Sequence, residues 1–136
     1  MTFLQQKWEV DVKSKGEIEA AVCKVVSNFE QEYMGRGPKV IHAYLLMDLL
    51  VIRMQGVLTA AEQHLVTTLP AEKGRDLLKQ VRTQLIETAR PILEKLIHDI
   101  TGVAPCSMHH DISTTTGEEV ILFSLSSEPV CREVKK

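Results

Sequence analysis

Three groups of residues in this sequence have the types and spacing for chemistry. The first is Gly35-Arg36-Gly37-Pro38-Lys39. Two glycines permit positive φ, and successive backbone N–H groups can then converge into an anion-binding nest. Arg36 supplies a bidentate fork and Lys39 a point charge. The loop follows a predicted helix C-terminus, whose partial negative charge repels anions. It also lacks the Walker spacing and the following helix of a phosphate-binding loop. It therefore reads either as a helix stop with a rigid turn into a strand, or as an Arg36-centred contact with a ligand or partner. In the second case Arg82 and Arg90 could join Arg36 and Lys39.

The second group is Cys106 with His109, His110 and Asp111. Thiol, imidazole and carboxylate are all metal ligands. On a strand, adjacent side chains point to opposite faces, so His109 and His110 cannot meet one ion without a bulge. A Cys–His nucleophilic pair needs a thiolate of depressed pKa, whereas Cys23 and Cys106 lie in apolar patterns and read as small buried hydrophobes. The third group is Glu62 and Asp111, an acid/base pair only if the fold joins them, and a capping role already accounts for Glu62. No catalytic residue and no metal ligand is assigned, no cofactor is expected, and the chain reads as a non-enzyme.

These residues sit on a regular succession of elements. Ser14 and Glu17 have capping-box spacing, and Ile18, Ala21, Val22, Val25, Val26 and Phe29 recur at helical spacing. Glu17, Glu19, Lys24, Glu30 and Gln31 fall elsewhere on that predicted helix, 14–34, which Gly35 stops. Lys39–Met47 and Leu49–Gln55 read as two strands joined at Met47-Asp48, a hairpin turn without glycine. Val40, His42, Tyr44 and Leu46 face one way, Ile41, Ala43 and Leu45 the other, and both faces are largely apolar. Thr59 and Glu62 form a second capping box ahead of a helix ended by Pro70. From 71 to 100, Leu78, Val81, Leu85, Ala89, Ile92, Leu96 and Ile100 mark a long helix kinked at Pro91. Val103–Ile112 and Glu118–Ser126 make a second hairpin. The expected fold is α+β in the order αββ-α-αββ, a four-stranded antiparallel sheet from two hairpins with helices packed on it. Residues 1–14 are expected as a flexible arm, 15–127 as the single domain, and 128–136 as a flexible tail.

Composition bounds the function. The 136 residues fit one domain, and a formal net charge of −2 gives no basic excess for nucleic-acid binding. Cys23, Cys106 and Cys131 are odd in number and widely spaced, which reads as reduced thiols in a cytoplasmic protein. No uncharged apolar run approaches the ~18 residues of a membrane span, so no direct membrane insertion is expected.

The same residues resemble the bacterial MpsC-like family, long described as a domain of unknown function. Gly35-Arg36-Gly37-Pro38, two strands, then Val57-Leu58-Thr59-Ala60-Ala61-Glu62 carry the resemblance. Val81-Arg82, Leu96 to Val103, His110-Asp111-Ile112 and Val120 to Leu125 follow in the family's order, so roughly residues 16–126 are covered. Pro91 and the doubled His109-His110 depart from the pattern. The resemblance implies association with a sodium-translocating, membrane-potential-generating system and an accessory or regulatory role. It marks Gly35, Arg36, Gly37, Pro38, Thr59, Glu62, Arg82, Gly102 and Asp111. The expected partners are a second copy, docked through the outer apolar face of the sheet (Val40, Tyr44, Leu46, Leu49, Val51, with Val120 and Leu122), and a membrane-transport protein at its cytoplasmic surface. The alternative is an anion or small-molecule sensor using the loop from Gly35 to Lys39.

Overall fold

A computed structural model describes residues 12–68 and 71–134, so most of the expected N-terminal arm lies outside the described residues. Helix α1 spans Lys15–Phe29 and opens with the predicted capping box: the Glu17 N–H donates to Ser14 Oγ at 3.2 Å, and the Ser14 N–H donates to Glu17 Oε1 at 3.2 Å. A π-helical turn, Glu30–Met34, continues α1 to Gly35, which takes φ 87° and ends it. Strands β1 (Val40–Leu46) and β2 (Leu49–Gln55) form the first hairpin. Its turn needs a positive-φ residue, and Met47, with no glycine available, supplies it at φ 59°.

Helix α2 (Ala60–Thr68) has the predicted second box, with the Thr59 N–H donating to Glu62 Oε1 at 2.9 Å. Helices α3 (Ala71–Thr88) and α4 (Arg90–Thr101) replace the single kinked helix, because the chain breaks at Ala89 and Pro91 lies in the first turn of α4. A proline there keeps its favourable position and lacks only an N–H that the helix start leaves unpaired. Strands β3 (Pro105–Ile112) and β4 (Glu119–Leu125) form the second hairpin. The sheet is antiparallel throughout, in the order β1-β2-β4-β3, so β2 and β4 pair at its centre and join the two halves.

Helices α1, α3 and α4 cover one face of this sheet. The core between them holds Ile18, Val22 and Val26 of α1, Ile52 and Met54 of β2, Ile121 and Phe123 of β4, and Ile86, Leu93 and Ile97 of α3 and α4. The helical stripe differs from the expected one. Leu78, Arg82, Ile86 and Ala89 point inward, while Val81, Leu85 and Ile92 remain 43%, 37% and 53% exposed. Reading Arg82 as polar rotates the predicted stripe by about one residue; its true row runs through 78, 82 and 86 at intervals of four. Helix α2 packs on α3, where Gly74 comes so close to Leu65 that a Cβ would lie 2.2 Å from the Leu65 carbonyl oxygen. Part of the expected tail is placed: Pro129 is buried, and the Arg132 N–H donates to the Lys13 carbonyl at 2.8 Å.

The outer edge of β1 is covered by α1 side chains. Glu19 Oε2 accepts the Leu45 N–H at 2.8 Å, and the Cys23 thiol reaches the Ile41 carbonyl at 3.9 Å. Such capping blunts an edge that would otherwise recruit another strand. Among the described residues no helix is long and apolar enough to cross a membrane.

Candidate functional site

Five ionisable side chains from five elements converge inside the molecule. Arg82 of α3 lies at the centre, with its side chain only 1% exposed. Its Nε donates to Glu119 Oε2 of β4 at 2.8 Å, and its Nη1 donates to Glu62 of α2 at 3.0 and 3.3 Å. Glu30, from the π-helical turn, holds Oε2 3.8 Å from Arg82 Nη2, beyond hydrogen-bonding distance. His110 of β3 places Nε2 3.4 Å from Glu119 Oε2.

Local periodicity puts each of them there. Glu30 continues the α1 row of Ile18, Val22 and Val26, one interval of four beyond the last. Arg82 sits between Leu78 and Ile86 on the inner row of α3. His110 lies between Met108 and Ile112, and Glu119 precedes Ile121 and Phe123, so the two-residue period of each strand turns them toward the helices. Glu62 is fixed by its capping box and reaches Arg82 with the same carboxylate. The π turn at Glu30 widens the helix where a polar group enters the core, a feature frequent at functional sites.

One guanidinium faces three carboxyls, and buried charges without partners are costly. Glu62 and Glu119 each accept an Arg82 N–H, whereas both Glu30 oxygens are buried with no donor, as is Glu119 Oε1. Glu30 is therefore the carboxyl that stays protonated. Burial, followed by the Glu119 charge, pushes it up to about 9. Burial also works upward on Glu119, but the neighbouring His110 imidazole, the Glu30 carboxyl and the Arg82 charge outweigh it and hold Glu119 at about 2. Two ionised carboxylates can only accept. With one proton, Glu30 becomes a donor that Glu119 can accept, so the pair binds a single proton across the intervening pH range.

Of the residues singled out by sequence, Glu62 and Arg82 meet in this cluster, and His110 joins them. Asp111 does not: it is exposed and pairs with Lys79 at 3.2 Å. Gly35 takes positive φ as expected, but Gly37 does not, and its N–H already donates to Gln31 Oε1 at 3.1 Å. The loop therefore does not present successive free N–H groups as a nest. Pro38 is half-buried, and the Lys39 stem lies against Gly56, where a Cβ would come within 2.6 Å of Lys39 Cγ. Arg36 makes no hydrogen bond or ion pair among the described residues. Glu30 and Glu119 escape a reading by polarity, although their places on apolar periods are the available signal. Among the described residues, no three His, Cys, Asp or Glu side chains are arranged to hold a metal ion.

A small α+β domain with a buried ion cluster is the class these features define. The family described as Na+-translocating membrane potential-generating system (MpsC) matches residues 14–127, and the chain belongs to it. It is 34% identical over 116 residues to the uncharacterized protein YbcI of Bacillus subtilis (strain 168), covering 85% of this chain and 91% of that relative. No solved structure matches the chain.

Proposed function

We propose that this chain is a non-catalytic accessory or regulatory protein that works as a homodimer in the cytoplasm, against the cytoplasmic surface of a membrane-transport protein. The observation that carries the dimer is the uncovered face of the sheet. Val40, Tyr44 and Leu46 are 42%, 40% and 53% exposed, and Leu49, Val51, Val120 and Leu122 are half-buried beside them. Strand alternation brings these side chains to one surface, which pairs β1 with β2 and β2 with β4 in register: Tyr44 opposite Val51, and Val51 opposite Leu122. His42 and the Arg53–Glu118 ion pair share this surface with them, and apolar patches bordered by polar groups mark interaction sites. With the edge of β1 capped by α1, the favoured association is face to face, and a two-fold axis makes one such patch complementary to itself.

The absence of catalysis is supported by access. The side chains of Glu30, Arg82, His110 and Glu119 are at most 1% exposed, so their acid and base groups are closed to a substrate in this packing. The transport association is supported by the family description. Light scattering at micromolar concentration tests the dimer: twice the chain mass is expected, and a clean monomer would overturn it.

A second reading is favoured by Arg36, which has no partner among the described residues: an anion sensor with Arg36 and Lys39 as the binding groups. Calorimetric titration with phosphate and sulfate tests it, and heats abolished by Arg36→Ala would move this reading ahead of the first.

A further inference from the structure

We propose that the Glu30–Arg82–Glu119 cluster is a proton-operated latch, in which one proton shared by Glu30 and Glu119 holds the α2–α3 hairpin on the sheet and opening of the hairpin releases that proton to water. The hairpin is proposed as the moving part, with α2 as its weakly anchored half and with Leu78 and Ile86 holding α3 to the body. No residue from 60 to 67 is buried, so α2 lacks a core anchor of its own. Its ties include packing on α3 and Glu62, whose carboxylate is clamped by Arg82. Arg82 in turn links α3 to β4 through Glu119.

The charge count makes the latch depend on a proton. The groups facing the shared pair are Arg82 from α3, Glu62 from α2 and His110 from β3. With Glu30 neutral, the remaining Glu62 and Glu119 carboxylates share one guanidinium. If Glu30 lost its proton in place, a third anion, fully buried, would face that single cation, with both oxygens lacking donors. Opening lets water solvate Glu30, which then ionises as an ordinary carboxylic acid. The closed form therefore binds one more proton than the open form, and rising pH favours opening.

Amide hydrogen exchange of the whole chain, corrected for intrinsic exchange rates, tests this between about pH 7 and 8.5, above the ordinary imidazole range. The opening constant of α2 and α3 amides is expected to rise by about tenfold per pH unit, the slope for one released proton. Glu30→Gln, which holds a neutral group in the same place, is expected to remove that slope while the β2 and β4 amides stay protected. A wild-type opening constant independent of pH, or an equal slope in Glu30→Gln, would overturn the proposal. Carbon-13 carboxyl NMR on the unsubstituted chain is an independent test that needs no variant to fold. A protonated Glu30 at pH 7 supports the latch, and an ionised one rejects it.

Discussion

The two faces of the sheet depart from ordinary burial in opposite directions. On β4, Glu119 points into the core while Val120 and Leu122 point out of it. On the inner face, charge is buried and held by a guanidinium; on the outer face, apolar area is left half-open. A residue's face follows from its parity in the strand, whatever its polarity. Each departure then needs its own compensation, and the compensations differ in kind. The inner one is intramolecular and specific, a set of charge-assisted hydrogen bonds around Arg82. The outer one is generic and is proposed to come from a second copy.

The sharpest way to break this contrast is to remove the centre of the inner face. Arg82→Ala leaves the buried Glu119 and the partly buried Glu62 without their cation. Loss of one partner of a buried pair costs about 3–5 kcal/mol, so urea unfolding is expected to show a variant near the edge of folding. A loss below about 1 kcal/mol would mean that the cluster is solvated and that its charges are not matched internally.

The pH dependence of stability is the next largest effect. The folded chain holds a proton on Glu30 that the unfolded chain has released above the ordinary carboxylate range, so this group makes stability fall as pH rises from about 4.5 to about 9. Glu119 acts with the opposite sign: its contribution is present above about 4.5 and is lost as pH falls toward about 2. Stability from this pair is thus greatest near pH 4.5–5, with slopes on the order of 1 kcal/mol per pH unit on either side. Urea midpoints from pH 3 to 9 check it, and a plateau between 5 and 9 would contradict the protonated Glu30.

On the outer face the expected change is in association and hardly at all in folding. Leu46→Glu places a charge on an exposed strand position, so monomer stability is expected to move by no more than about 0.5 kcal/mol. The same charge would be buried twice in a symmetric interface, and the dimer is expected to dissociate. Sedimentation equilibrium with a parallel melt separates the two quantities. An unchanged mass for Leu46→Glu, given a dimeric parent, would move the interface to another surface.

How far the fold is legible follows from what each element asks of its residues. Both capping boxes, both hairpins and the α+β order are readable, because Ser14, Thr59, Gly35 and Gly102 punctuate the chain through local geometry. The inner row of α3 is hidden because Arg82 occupies a core position, and a polarity rule moves the stripe to Val81 and Leu85. The same rule places Glu30 on the solvent side, although it lies four residues after Val26. These two errors share one cause: buried ions obey the period of the element and break the polarity pattern. Their partners come from distant elements, so sequence spacing carries no sign of the pairing. The family resemblance marks Arg82 and Glu62 as separate positions; only the fold brings them into contact.

The smallest effects belong to the loop from Gly35 to Lys39, where structure redistributes what sequence suggests. Gly35 takes φ 87°, a conformation that resists a side chain, while Gly37 lies outside that region. Gly35→Ala is therefore expected to cost about 1 kcal/mol, chiefly as backbone strain. At Gly37 an added Cβ would meet Gln31 Oε1 at 3.5 Å and the Ser27 carbonyl oxygen at 3.6 Å, ordinary contacts. Gly37→Ala also narrows the unfolded ensemble, so its effect is expected to lie between neutral and a gain of a few tenths of a kcal/mol. Arg36→Ala removes a side chain with no partner among the described residues and is expected to shift stability by no more than about 0.5 kcal/mol. Melting curves for the three variants check the order. Should Gly37→Ala prove the most damaging, the Gly37 N–H and the Gln31 side chain would be holding a turn on which strand β1 depends, and the loop would regain the special role that its glycine pair first suggested.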